Sequence, residues 1–182
     1  LKNPSFETPV LDDNATSLSV PGWEEIEPGT EGARAWNCQN TGLWNWYIPD
    51  GNNVLILQNV GTEAAKVGVS QTIGEELQPN TEYELSVWAG QRIDQAGLPW
   101  PRVTVALYAG NQLLKAIEVP EPQIAPHHGV WIRQVVRYVS PPDTPREGPL
   151  RIAFQLQRCG RTAAQACFDL VALRARPATS EP

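Results

Sequence analysis

The chain has little of what usually announces chemistry. Only three of its 182 residues are cysteine and two are histidine. The cysteines, at 38, 159 and 167, lack C-x-x-C spacing, which argues against the common structural zinc sites. His127 and His128 are neighbours in Ile124-Ala125-Pro126-His127-His128-Gly129. Adjacent side chains in an extended segment point to opposite sides, so they read as a surface loop rather than one metal site. No apolar run approaches the roughly 20 residues of a membrane span, and no signal-peptide pattern opens the chain. No basic cluster rises above Arg174-Ala175-Arg176, and the net charge is −6. The electrostatic footprint of nucleic-acid binding is therefore missing. Helical signals are poor, since Thr62-Glu63-Ala64-Ala65-Lys66 is too short to stand alone. Nothing marks a nucleophile elbow, a phosphate loop or a zinc helix. Glu24, Glu25, Glu27 and Glu31 cluster, but such a loop run reads as a solvated face rather than a hydrolytic carboxylate pair.

What is present is alternation. Residues 53–60, 67–73, 82–89, 102–108, 112–119, 130–139, 150–156 and 168–175 read as strands, separated by Gly, Pro and Asn punctuation. Tyr83, Leu85, Val87 and Ala89 share one face with strict period two. Ala109-Gly110-Asn111 marks a hairpin. The pattern predicts an all-β protein, an antiparallel β-sandwich of jelly-roll type. Residues 1–176 form the sandwich and 177–182 a linker or tail, with long loops in the first fifty residues. At this length one domain buries about 70% of its unfolded surface, so a full core is available.

The seven tryptophans are the other positive signal, with Trp36, Trp44 and Trp46 crowded into residues 36–47 beside Tyr47. Indole among polar turn residues either stacks on a ligand or plugs an open end of the sandwich. A sugar ring suits the first option, with C–H groups on its faces and hydroxyls on its rim. Trp44, Trp46, Tyr47 and the proline-flanked Trp100 are candidate stacking residues, with Trp36 open to either role. Gln91, Arg92 and Asp94 are candidates to bond hydroxyls, since a planar guanidinium reaches paired ring hydroxyls. Trp23, Trp88 and Trp131 lie inside strand-like patterns and read as core or sheet.

Cys159 and Cys167 flank seven residues between two strand-like runs. That spacing suits a disulfide across a hairpin mouth, hence an oxidising compartment. Cys38 is then free or pairs with either of the others, and three unpaired thiols is the competing outcome. Asn14-Ala15-Thr16 is a glycosylation sequon. Leu1 in place of Met, and the tail Arg176-Pro177-Ala178-Thr179-Ser180-Glu181-Pro182, suggest a module of a larger secreted protein.

Several landmarks fall in order: Asn3-Pro4-Ser5-Phe6-Glu7, Pro21-Gly22-Trp23, Val69-Ser70-Gln71-Thr72-Ile73, Leu77 to Ser86, Gly129-Val130-Trp131, and Cys167-Phe168-Asp169-Leu170-Val171-Ala172-Leu173. Over nearly the whole chain this series resembles the jelly-roll carbohydrate-binding modules of families four, nine and twenty-two, within the galactose-binding-like sandwiches. The resemblance implies a structural calcium ion held by Glu7 and Asp169, with the carbonyls of Ser5 and Asn52 completing the cage. Ca²⁺ takes 6–8 oxygens and would bridge two carboxylates from opposite chain ends. Family members carry a second acidic residue where Leu170 stands. The resemblance further implies non-catalytic binding of a polysaccharide or oligosaccharide (β-glucan, xylan or similar), on a sheet face or a loop rim. The protein would be a monomeric module within a secreted glycan-degrading chain. A structural or adhesive module, or a small glycan-active enzyme, are the alternatives.

Overall fold

A computed structural model describes residues 1–26, 33–38, 42–44, 47–59, 66–95, 100–120, 129–144, 148–157 and 164–179. Trp46, Cys159, His127, His128, Glu27 and Glu31 lie outside the described residues.

Eleven strands are described: β1 Thr16–Ser17, β2 Glu24–Ile26, β3 Ala33–Asn37, β4 Asn53–Asn59, β5 Lys66–Glu76, β6 Thr81–Gln91, β7 Arg102–Ala109, β8 Gln112–Val119, β9 Val130–Val139, β10 Pro149–Gln157 and β11 Ala164–Pro177. The described helical structure is one 3-10 turn, Ile93–Gln95. The strands form a six-stranded sheet, β1-β3-β4-β11-β6-β9, and a five-stranded sheet, β2-β5-β10-β7-β8. All pairings are antiparallel. The expected all-β sandwich is the observed fold. Part of the amino-terminal region expected to be loop supplies β1, β2 and β3 instead. These are short strands that satisfy their backbone by pairing with long ones, so they need little periodicity of their own.

The period-two pattern sets the core. Tyr83, Leu85 and Val87 from β6 meet Val103, Val105 and Leu107 from β7, and all six are buried. Phe154 and Phe168 stack across the layers at 5.2 Å, and Trp23 lies 5.3 Å from both Phe6 and Phe154. Such aromatic pairs add about 0.5–1.5 kcal/mol each beyond their buried area.

The opening segment is tied down by hydrogen bonds. Val171 N–H donates to the Pro4 carbonyl at 2.9 Å. The Asn53 amide donates to the carbonyls of Phe6 and Pro9 at 3.0 and 2.9 Å. Gln71 donates to the carbonyls of Lys2 and Gly22 and accepts from Lys2 N–H. First strand-like segment and last strand are thereby joined through backbone and amide groups.

The expected disulfide does not form part of this architecture. Cys167 is in no disulfide, fully buried within β11 and opposite Ile56 of β4, and Cys38, also buried, is in none either. Cys167 sits inside the sheet rather than at a hairpin mouth, which is why spacing alone misplaced it.

Candidate functional site

The outer face of the six-stranded sheet can be read from its register. One row pairs Trp36 (β3) with Val54 (β4), and Asp169 (β11) with Trp88 (β6) and Arg133 (β9). The next runs Arg34, Ile56, Cys167, Gly90 and Trp131. A third pairs Gln58 with Gln165. A second apolar cluster forms here, separate from the main core, from Trp36, Cys38, Val54, Ile56 and Cys167. Leu43, Trp44, Ile48 and Trp131 pack over it.

Two indoles cap this cluster. Trp44 and Trp131 stack with centroids 4.3 Å apart and planes at 24°. Trp44 Nε1 donates to Cys38 Sγ at 3.2 Å. Trp131 reaches its place because position 90 is glycine, where a Cβ would stand 2.9 Å from the Trp131 ring. The Nε1–H of Trp131 is buried and has no hydrogen-bond partner.

Beside the stack opens a cavity of about 500 Å³, the size of a small-molecule site. Trp36, Ile56 and Leu43 give it an apolar side, and Asp13, Asn14, Arg34, Gln58, Arg92 and Gln165 a polar one. Arg92 lies over the Trp36 ring at 4.9 Å. Its guanidinium is bonded in a fork to both carboxylate oxygens of Asp94 and reaches Gln165 Oε1 at 3.3 Å. The Trp36 indole N–H donates to Asn14 Oδ1 at 3.3 Å.

Asp169 is the singular group of the face. It is fully buried, and Oδ2 accepts Asp50 N–H at 2.8 Å while Oδ1 accepts Leu170 N–H at 2.7 Å. Burial pushes its carboxyl up to about 8. The two N–H donors oppose the rise, and the charges of Asp50 and Glu7 add to it. Desolvation outweighs the hydrogen bonds, so the carboxyl keeps its proton near neutrality. A bulge follows immediately, with the register shifting between Asp169 and Ala172 and Leu170 in the left-handed region at φ 48°. A β-branched or bulky side chain rarely adopts that conformation, and bulges of this kind re-aim a side chain beside a site. The neighbouring thiols are inert, since burial pushes Cys38 up to about 12 and raises Cys167 well above its ordinary value.

The expected calcium cage is not assembled. Glu7 Oε1 accepts the N–H groups of Asn52 and Asn53 at 3.0 and 2.8 Å, the Asn52 carbonyl accepts Cys38 N–H, and Asp169 is bonded as described. The 50–53 loop amides thus engage the two carboxylates that calcium was expected to bridge, with lone pairs to spare on each. Ser5 is buried nearby. Among the described residues no three acidic, Cys or His side chains converge on one point.

The expected sugar-contact residues scatter. Trp36 and Arg92 line the cavity, with Asp94 held on Arg92. Trp44 shares its face with Trp131, and Tyr47 is 61% exposed. Gln91 is buried on the face of Tyr83 and Ala89, towards the core. Trp100 packs against the main core and donates to the Val119 carbonyl at 3.1 Å, on the other sheet. Sequence reasoning did not single out Trp131, Cys38, Asn14 or Gln165 as residues of this face. One available signal was an acidic residue set within an otherwise apolar strand, Cys167-Phe168-Asp169-Leu170-Val171.

Residues 1–174 match the family described as HpiC1-like, HpiC1 cyclase. The chain belongs to the HpiC1-like cyclase family. No curated protein matches it significantly. Among solved structures it is similar to the Stig cyclase Fisc from Fischerella sp. TAU in complex with (3Z)-3-(1-methyl-2-pyrrolidinylidene)-3H-indole. That similarity has a TM-score of 0.82 and 25% identity over 98% of this chain and 97% of that one. It is likewise similar to a cyclase from Fischerella sp. TAU in complex with 4-(1H-indol-3-yl)butan-2-one, at a TM-score of 0.81 and 25% identity over 99% and 98%. A family-four carbohydrate-binding module is more distant, with a TM-score of 0.53 and 19% identity over 85% and 95%, and shares the fold alone. The expectation of a non-catalytic module is therefore corrected: the family is one of enzymes. Of the readings drawn from the sequence, the small enzyme is the one supported, but not the glycan it was given. The carbohydrate-binding resemblance holds for the jelly-roll fold, and a shared fold does not transmit function.

Proposed function

We propose that this HpiC1-like protein is a proton-initiated cyclase acting on an indole with an unsaturated side chain, on the outer face of its six-stranded sheet. The observation that carries this reading is Asp169, a buried carboxyl pushed up to about 8, on the sheet face that also carries Trp36, Trp88 and Trp131. An acid tuned near the working pH is what proton donation requires. The indole ligands of the two Fischerella cyclases support the choice of ring.

The proposed steps balance as an isomerisation. The Asp169 O–H gives its proton to a side-chain π bond, whose electrons form the new C–H bond and leave a carbocation. The indole π electrons attack that carbon and form the ring-closing C–C bond. Loss of a proton from the attacked ring restores aromaticity and returns the carboxylate to its acid form. The faces of Trp36, Trp44 and Trp131 favour the cationic intermediate, since a cation over indole gains about 0.5–2 kcal/mol and more when desolvated. Exclusion of water by Leu43, Ile48 and Ile56 protects that cation from capture. Because Asp50 N–H caps Asp169, the Tyr47–Asp50 segment has to yield for substrate to meet the acid.

The test is turnover of such an indole in D₂O. The expected product is an isomer carrying one solvent-derived deuterium on the side chain, formed by the wild type and not by Asp169→Asn. A folded Asp169→Asn protein that turns over at the wild-type rate would falsify the assignment.

A further inference from the structure

Three polar residues of the cavity wall, Arg92, Gln165 and Asn14, have their acceptors engaged or lack them. Resting on the cyclase reading of this face, we infer that the cavity selects ring-bearing ligands with a hydrogen-bond-accepting terminus, a carboxylate or carbonyl oxygen, read by Arg92, Gln165 and Asn14.

An arginine guanidinium has five N–H donors and no acceptor, while a carboxamide has two of each kind. Arg92 spends three donors within the protein, two on Asp94 and one on Gln165, which leaves two. Gln165 is 9% exposed, and its oxygen is engaged by Arg92, so its NH₂ group is the part left to offer. Asn14 repeats the arrangement: its oxygen accepts the Trp36 indole N–H, and its NH₂ remains. Both of these amide oxygens are thus turned to groups within the protein, so that Asn14 and Gln165 offer N–H beside Arg92, while Asp13, Thr16, Arg34 and Gln58 complete the polar lining.

The donors are also held rigid. Asp94 fixes the Arg92 fork, and the guanidinium plane rests over Trp36. A preorganised fork loses less freedom on binding than a lysine would. Asp94 pairs with the Arg92 charge. The Arg92 fork therefore reads the direction of an acceptor lone pair as well as its charge. On the opposite side Trp36, Leu43 and Ile56 take the ring. The ligand that satisfies both walls has an aromatic half and an acceptor half.

Calorimetric titration of the full chain tests this with three 3-substituted indoles of matched length, ending in a carboxylate, a methyl ketone or a plain alkyl group. The two acceptor-bearing ligands are expected to bind at least tenfold more tightly than the alkyl one. Gln165→Glu keeps the oxygen that Arg92 uses but removes the amide donors. It should weaken the carboxylate ligand at least tenfold and leave the alkyl ligand within twofold. Arg92→Leu keeps an apolar contact on Trp36 and should erase the preference for both acceptors. Affinities equal within twofold, no binding by any of the three, or a preference surviving in both variants overturns the inference. Ring closure without any acceptor preference would refute this inference and leave the cyclase reading standing. Acceptor preference without ring closure on any substrate does the reverse.

Discussion

The two outer faces of the sandwich obey the same pleat and carry opposite chemistry. On the five-stranded sheet the outward residues are small or solvated: Thr104 and Ala106 on β7, Ala153 and Gln155 on β10, Gly68 and Ser70 on β5. Arg151 lies over Tyr108 at 4.3 Å, an ordinary surface cover for short side chains. On the six-stranded sheet the same outward positions hold Trp36, Trp88, Trp131, two thiols and Asp169, overlaid by Trp44 and Ile48. Four of the six described tryptophans belong to that face, whereas Trp23 is core and Trp100 belongs to the opposite sheet. Alternation alone makes both sheets. What makes one of them a site is a second apolar layer laid over a carboxyl that cannot reach water.

This contrast can be broken or sharpened by substitution. The largest effect is expected for Asp169→Asn, which removes the proton donor while preserving size and an acceptor. Turnover should fall roughly 10²–10⁴-fold, with ligand affinity measured by calorimetry changing little. Next, Trp36→Ala should weaken binding of an indole ligand about tenfold, or about 1.4 kcal/mol. Tyr108→Ala, its counterpart on the other outer face, should leave binding unchanged. An equal loss from both would erase the distinction between the faces.

Stability against pH gives a third comparison. Between the ordinary 3.8 and about 8, the folded protein keeps on Asp169 a proton that the unfolded chain has released. Its contribution is therefore complete below 3.8 and lost as pH rises through about 8. The melting temperature of the wild type should fall over that window, and the Asp169→Asn curve should run flatter.

Two glycines separate fold from function. At Gly68 a Cβ would stand 2.3 Å from the Phe154 carbonyl oxygen, whereas at Gly90 it meets the Trp131 ring at 2.9 Å and the Val130 carbonyl oxygen at 2.9 Å. Gly68→Ala should cost about 1–3 kcal/mol in denaturant titrations without altering ligand affinity in the folded fraction. Gly90→Ala should cost a similar amount, because the Val130 carbonyl is backbone, and should in addition weaken ligand binding by displacing Trp131. The smallest effect belongs to the exposed pair Arg176–Glu82 at 2.9 Å, whose loss should cost no more than about 1 kcal/mol.

The strands from residue 53 onward were legible because period two survives wherever one face is buried, as in Tyr83 to Ala89. The edge strands β1 and β2 were not, since two or three residues carry no period. The jelly-roll fold was legible from the order of its landmarks, but not its use. Glu7 and Asp169 do come near one another, and acidic pairing from opposite chain ends looks the same in sequence whether a cation or a set of loop amides satisfies it. The N–H groups of residues 50, 52 and 53 that engage the pair could not be anticipated, since backbone direction is silent in a sequence. Trp36 and Arg92 were singled out from the residues themselves, though for a sugar. The aromatic and guanidinium chemistry was visible, and what it faces was not. Trp131 was hidden because its place depends on the missing side chain at Gly90, two strand positions from Trp88 on the paired strand.

The most direct measurement is the titration of the Asp169 side-chain carboxyl itself, followed by carbon NMR of aspartate-labelled protein with Asp169→Asn to assign the resonance. The account predicts a carboxyl that stays protonated at neutral pH and titrates near 8. A carboxylate already ionised at pH 5 would contradict it, leaving the indole-lined face without its acid.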